Sequence, residues 1–132
     1  MSFTCDCELQ IDGGGAADRR AAADIVLAAE CVRDGGATRR ETADSLAVRF
    51  PSEDGLPEDE LAAAAPQFPG LSFTLVYFSR DGEFYGYARA SEKGEADESE
   101  DLDESALETL GSKYGGNGIA FVRAAFGLEP SA

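Results

Sequence analysis

The chain of 132 residues has no His and no Trp, a single Met, and only 11 basic residues against 26 acidic ones. Without His, and with no nucleophile set beside a base, triad chemistry has no residues to run on. The three Cys, at 5, 7 and 31, form no Cys-x-x-Cys pair and cannot complete a four-ligand zinc site. Carboxylates could in principle work as acid and base, but nearly all lie in runs expected to be solvated, with ordinary pKa values. No enzyme is therefore expected: no catalytic residue, no cofactor and no metal ligand is assigned. Long apolar runs are also lacking, and the start MSFTCDCELQ has neither a basic nor an apolar leader region. An odd number of unpaired thiols fits a reduced, cytoplasmic compartment.

The shortage of bases has its own consequence. A net charge of −15 argues against direct nucleic-acid binding through a basic face and against an anionic membrane. It favours a basic partner, cations or a salty environment. The excess is local: residues 53–60 carry five acids and no base, and residues 92–108 carry nine acids and one base. The rest of the chain is nearly neutral. Solvated loops, adaptation to salt and a genuine binding surface all fit that distribution.

What is present is organised around residues 68–90, FPGLSFTLVYFSRDGEFYGYARA, which hold seven of the twelve Phe and Tyr residues. Asp81-Gly82 is the signal for a type I′ hairpin turn, because both central positions of that turn need positive φ. The turn fixes the pairing. Ser79, Tyr77, Leu75 and Phe73 face Phe84, Gly86, Ala88 and Ala90 on one side of the sheet. Phe78, Val76 and Thr74 face Tyr85, Tyr87 and Arg89 on the other. The first side pairs large with small residues and suits a cover of helices. The second side is aromatic: Phe78, Tyr85 and Tyr87 are either buried under the C-terminal segment or form an interface, including a homodimer through an open sheet face.

Around the hairpin, residues 3–11 alternate as a strand with Cys5 and Cys7 facing inward as structural thiols. The triple Gly at 13–15 makes a tight turn rather than a phosphate loop, since GxGxxG spacing and a Walker lysine are absent. Residues 16–33 form a helix closed by Asp34-Gly35-Gly36, with the doublets Arg19-Arg20 and Arg39-Arg40 solvating the surface. A strand covers 45–50, and a short helix covers 57–65, started by Pro57 and disturbed by Pro66. The acidic run after Gly94 reads as a mobile linker. Ser105 to Glu108 is a capping-box pattern that starts a helix, and a last helix, with a final strand as the alternative, carries Ile119, Val122, Ala125 and Phe126 before Gly127 and Pro130.

The order of these elements, together with the run RFPSEDGLPEDELAAAAPQFPGLSFTLVYFSRDGEFYGYAR, resembles the YubB-type ferredoxin-like domain family of small plasmid and phage proteins. Gln67-Phe68-Pro69-Gly70-Leu71-Ser72-Phe73 and the return Phe84-Tyr85-Gly86 carry the resemblance, and TCDCELQIDG is similar to that family's opening strand. The resemblance implies an origin in mobile elements and no transferable catalytic residue.

The expected architecture is therefore α+β: a ferredoxin-like antiparallel sheet in residues 1–94, with helices on one face. An acidic linker and helical extension in 95–132 packs on the same domain. The expected function is a non-catalytic acidic binding protein that engages a basic, nucleic-acid-binding partner as an inhibitor or nucleic-acid mimic, such as an anti-restriction or anti-CRISPR protein. Glu95, Asp97, Glu98, Glu100, Asp101, Asp103 and Glu104 are the expected contact acids. The alternative is a cation-binding or structural module. Asp97, Ser99, Asp101, Asp103, Ser105 and Glu108 fall at positions 1, 3, 5, 7, 9 and 12 of an EF-hand-like loop, although Leu102 stands where that loop needs Gly.

Overall fold

A computed structural model describes residues 3–33 and 37–128. The chain runs β1 (Thr4–Asp12), α1 (Ala16–Leu27), β2 (Thr38–Glu41), β3 (Ser45–Glu53), α2 (Glu58–Ala64) and a 3-10 turn (Ala65–Gln67). It continues through β4 (Ser72–Ser79), β5 (Phe84–Ser91), β6 (Gly94–Asp101), α3 (Glu104–Tyr114) and α4 (Gly118–Ala125). The six strands form one antiparallel sheet in the order β2-β3-β1-β4-β5-β6. The fold is α+β.

Alternation puts Cys5, Cys7, Leu9 and Ile11 of β1 on one face with Leu46, Val48 and Phe50 of β3 and Phe73, Leu75 and Tyr77 of β4. On that face α1 and α2 lay down Ala22, Ala23, Val26, Leu61 and Ala64, and the three alanines let the helices come close. The other face carries Val76, Phe78 and Tyr85, packed against Leu110 of α3 and Ile119, Phe121 and Val122 of α4. Each such fully buried apolar side chain contributes about 1.5–3 kcal/mol. Helices thus cover both faces: α1 and α2 lie on one, and the aromatic face is buried under the chain's own C-terminal helices, the first of the two expected alternatives.

The hairpin pairs Ser79 with Phe84, Tyr77 with Gly86 and Phe73 with Ala90, the expected register. Its turn differs. Arg80–Glu83 form a four-residue loop in which positive φ falls on Glu83 (60°), not on Asp81 or Gly82. Asp81 turns back to cap the sheet: its carboxylate accepts from Thr4 N (3.1 Å) and from Ser79 Oγ (2.9 Å). The side-chain anchor replaces the backbone preference that a type I′ turn would have used.

Other boundaries move for similar reasons. Helix α1 ends at Leu27 rather than Arg33, because residues 31–33 are drawn onto β3. Glu53 N donates to Cys31 O (2.8 Å), Arg33 N donates to Pro51 O (2.9 Å), and Val32 bridges Ser52. The expected stops at Asp34-Gly35-Gly36 and at Pro130 lie outside the described residues. Strand β2 covers a stretch that has no apolar pattern to announce it. Helix α3 is capped by Asp103, whose carboxylate accepts from Ala106 N (2.8 Å), two residues before the expected Ser105 cap. Helix α4 is capped by Asn117 on Ala120 N (3.2 Å) and stops at Gly127 (φ 66°).

Arg19 does not solvate the surface. It is 2% exposed, and its guanidinium donates to the carbonyls of Gly13 (2.7 Å), Gly14 (2.8 Å) and Ala43 (3.0 Å). It ties the glycine turn to the β2–β3 turn. Gly13 (φ 93°) is required there, since a Cβ would meet Gly70 O at 2.5 Å.

Candidate binding surface at the acidic sheet edge

The residues expected to form a mobile acidic linker are a strand instead. Phe84, Tyr85, Gly86, Tyr87, Ala88, Arg89 and Ala90 of β5 pair with Asp101, Glu100, Ser99, Glu98, Asp97, Ala96 and Glu95 of β6. Every residue of β6 is exposed. The strand is the sheet's outer edge, so half of its backbone N–H and C=O groups point away from β5. Why does such a sequence extend? Charge gives it no apolar face, but pairing with the aromatic β5 fixes it, and the two-residue Glu92-Lys93 reversal, followed by Gly94 (φ 145°), sets the register. Leu102 anchors its far end: it is buried, and its N–H donates to Glu83 O (2.8 Å).

The register divides the acids between faces. Glu95, Asp97 and Asp101 lie on the α1/α2 side, where their partners Ala90, Ala88 and Phe84 point, and Glu98 and Glu100 lie on the α3/α4 side with Tyr87 and Tyr85. Asp103 and Glu104 follow at the start of α3, where the helix dipole favours acids. Asp103 is already committed as the helix cap. Five of the seven expected acids thus stand on the edge strand, three on one face and two on the other, and the remaining two follow it at the start of α3.

Behind that edge the sheet is tightly fitted. The Tyr77 ring crosses β5 at Gly86, where a Cβ would stand 2.6 Å from Tyr77 Oη and 2.3 Å from Glu98 O. Burial, then the charges of Glu58 and Asp97, push the Tyr77 hydroxyl up to about 12, against a hydrogen bond from Ser99. Glu58, at the start of α2, is raised by burial and then by Asp97 and Asp59. A cleft of about 260 Å³ lies between α2 and the edge, lined by Glu58, Leu61, Ala88, Arg89, Glu95, Ala96 and Asp97.

The expected aromatic contact residues turn toward the C-terminal helices. Phe78 and Tyr85 are buried, and Tyr85 packs edge-on to Phe121 at 4.9 Å and tilted against Phe126 at 5.8 Å. Phe78 meets Phe121 at 6.5 Å, and Tyr87 is half-buried against Phe126 at 5.2 Å. These rings hold α4 to the sheet, so a homodimer through an open aromatic face has no such face to use. The EF-hand-like spacing also has no loop. Positions 97–101 are extended, which spreads alternate carboxylates about 6.6–6.8 Å apart along the strand instead of wrapping them round a point. Among the described residues no group of three or more His, Cys, Asp or Glu could hold a metal ion.

Cys5 and Cys7 are buried, as the alternation of β1 implies, and burial raises both thiols, Cys5 to about 11. Among the described residues no helix is long and apolar enough to cross a membrane.

One buried cluster escaped the reading of the sequence. Glu8 is 1% exposed and accepts from Arg49 Nε (2.7 Å) and from Arg123 Nε (2.9 Å) and Nη2 (2.5 Å). Arg123 Nη2 also donates to Gln10 Oε1 (3.0 Å). Burial raises the Glu8 carboxyl, but the hydrogen bonds and charges of Arg49 and Arg123 outweigh it, and the net shift is downward. The only signal was a polar-side acid on β1 and a lone Arg on an apolar helix 115 residues away. Comparisons with family models, with curated proteins and with solved structures return no match.

Proposed function

We propose that the protein is a non-catalytic binding module whose acidic edge strand engages the Lys- and Arg-rich surface of a nucleic-acid-binding partner in place of a nucleic acid. The observation that carries this is the charge density of β6. Five carboxylates stand exposed on Glu95–Asp101, a length of about 20 Å at the rise of an extended strand. That is about one charge per 4 Å, close to the one per 3.4 Å of a single DNA strand. A groove built to neutralise phosphates would gain the same counterion release from this edge. Order adds to the effect, because a paired strand presents its acids without first having to be immobilised.

The same reading takes the chain as a cytoplasmic, anti-defence protein of phage or plasmid origin, on a YubB-type ferredoxin-like core. Supporting the core is the order β2-β3-β1-β4 around β1-α1-β2-β3-α2-β4, the split βαβ arrangement, to which β5 and β6 add a meander.

The test is affinity capture from a bacterial lysate on immobilised protein at about 0.05 M and about 1 M salt, where the Debye length shrinks from over 10 Å to about 3 Å. A DNA-competition arm runs alongside it. A partner that is nucleic-acid-binding, lost at high salt and displaced by DNA is the expected result. The companion variant carries Glu95→Gln, Asp97→Asn, Glu98→Gln, Glu100→Gln, Asp101→Asn, Asp103→Asn and Glu104→Gln; Asn at 103 keeps a capping side chain. Unchanged retention by that variant would refute mimicry.

A further inference from the structure

The register of β6 decides which of its backbone groups are free to pair. Glu92 and Lys93 form a two-residue reversal, so Ser91 and Gly94 are a hydrogen-bonded pair and the ladder alternates from there. At the far end Leu102 N donates to Glu83 O (2.8 Å), which keeps the same alternation. Residues 94, 96, 98 and 100 therefore direct their backbone groups at β5. Glu95, Asp97, Ser99 and Asp101 direct theirs outward, four N–H donors and four C=O acceptors on the last strand of the sheet.

A strand that paired with these groups would set alternate side chains opposite Glu95, Asp97, Ser99 and Asp101, on the α1/α2 side of the sheet. Like charges directly opposite destabilise a strand pair and opposite charges stabilise it. An acidic strand is thus rejected, and one with a base at every second residue meets three carboxylates on one face. That face also has a place for a basic side chain. In the cleft of about 260 Å³ between α2 and the edge, Leu61 and Ala88 are buried and apolar, while Glu58, Glu95 and Asp97 are exposed. The ion pairs among the described residues involve none of these three acids. Arg89, the base among the lining residues, lies over the Tyr87 ring at 5.7 Å, and Tyr87 packs on the α3/α4 side. A Lys or Arg fits such a cleft: its methylene stem covers the apolar part and its charged head stays at the carboxylates.

We infer that β6 takes an extended segment of a protein partner, with Lys or Arg at alternate positions, as a further strand of the sheet. The backbone of Glu95, Asp97, Ser99 and Asp101 pairs with it, and one basic side chain lodges between Glu58 and Asp97. The inference rests on the reading of β6 as the recognition surface and goes beyond it. Charge alone attracts any basic surface, whereas strand addition selects an extended chain through main-chain hydrogen bonds.

The experiment titrates the isotopically labelled full chain with the end-blocked peptide Lys-Thr-Lys-Val-Lys-Thr-Lys at fixed ionic strength, followed by NMR and amide hydrogen exchange. Two further peptides of the same charge carry backbone N-methyl groups, one on its Lys residues and the other on its Thr and Val residues. With the Lys side chains on the α1/α2 side, only the Lys N–H groups point at β6. Expected are saturable shifts and slowed exchange at the amides of Glu95, Asp97, Ser99 and Asp101, with exchange at Ala96, Glu98 and Glu100 little changed. Methylation of Lys should weaken binding at least tenfold, and methylation of Thr and Val less than threefold. Glu58→Gln should weaken the unmodified peptide at least threefold with unchanged thermal melting; unchanged affinity would overturn the role of the cleft. Equal effects of the two methylations, or unslowed exchange at the four outward amides, overturn strand addition. If the peptide then still loses affinity for the variant with all seven acids neutralised, recognition by charge survives alone; if it does not, both readings fall. Slowed exchange at the four amides on concentrating the chain by itself would give the edge to a second copy and overturn the proposal as well.

Discussion

Removing the Glu8 carboxylate is the sharpest test of how the C-terminal helices are held. In Glu8→Ala the Arg123 guanidinium, on a residue only 7% exposed, loses the carboxylate that takes its Nε and Nη2. Stripping one partner from a buried ion pair costs about 3–5 kcal/mol, mostly for the charge left behind. The Arg49 arm adds little, about 0–1 kcal/mol, because that side chain is half in water. A total of about 3–5 kcal/mol is a large part of the 5–15 kcal/mol available to a domain. The readout is denaturant unfolding followed by circular dichroism and tyrosine fluorescence, with ΔG taken from midpoint and slope. Because the cost is that of a buried charge deprived of the Glu8 carboxylate, removing both members of the pair should recover most of it. Glu8→Met with Arg123→Met should lie within about 1.5 kcal/mol of the native chain, since a well-packed apolar pair is often neutral. A loss under about 1 kcal/mol for Glu8→Ala would refute this account. So would a double variant as unstable as the sum of the two single ones, which would show that packing rather than the ion pair carries the cost.

Acidification tests the same cluster by another route. The folded Glu8 pKa lies below its ordinary 4.5, so its contribution is complete above that value and disappears as pH falls through the lower, folded pKa. Glu8→Gln should therefore flatten the acid limb of a stability-against-pH curve, and parallel curves would count against it. Gly86→Ala should cost about 1–3 kcal/mol as overpacking, since its methyl has Tyr77 Oη and Glu98 O within 2.6 Å; thermal melting reads it. Neutralising Glu95, Asp97, Glu98, Glu100 and Asp101 should leave the melting temperature within a few degrees but raise the scattering of concentrated solutions. An uncharged exposed edge strand invites pairing with other chains; unchanged scattering would mean that the charge does not guard the edge.

How much of this was legible depended on whether a residue's neighbours lie nearby in sequence. The hairpin register followed from local pairing, and the inward thiols of β1 followed from period-two alternation; both are seen in the fold. The end of α1 was not legible, because an Ala-rich helix was stopped by hydrogen bonds to β3, some twenty residues on. Strand β2 (Thr38–Glu41) has no apolar residue to betray it, and it forms because β3 offers an unpaired edge. The aromatic side of the hairpin could be read as needing cover, but whether the cover was this chain or another depended on where α4 would land. That in turn depended on Glu8 and Arg123, which no periodicity connects.

The acidic run shows why composition misleads at an edge. Lys, Glu and Asp are poor strand formers in isolation, but what is measured as strand propensity is mostly packing on the half-buried faces of a sheet. A last strand needs one partner and no buried face, so β6 can be almost wholly charged and still pair residue for residue with β5. The charge that hid the strand also suits its position, since a neutral edge beside Tyr85 and Tyr87 would be open to any extended chain. Protection from promiscuous pairing and attraction to a basic surface therefore place the same demand on these residues. The two roles separate only when solubility and partner capture are measured on the same neutralised variant. Loss of capture with solubility intact assigns the acids to recognition, and loss of solubility with capture intact assigns them to guarding the edge.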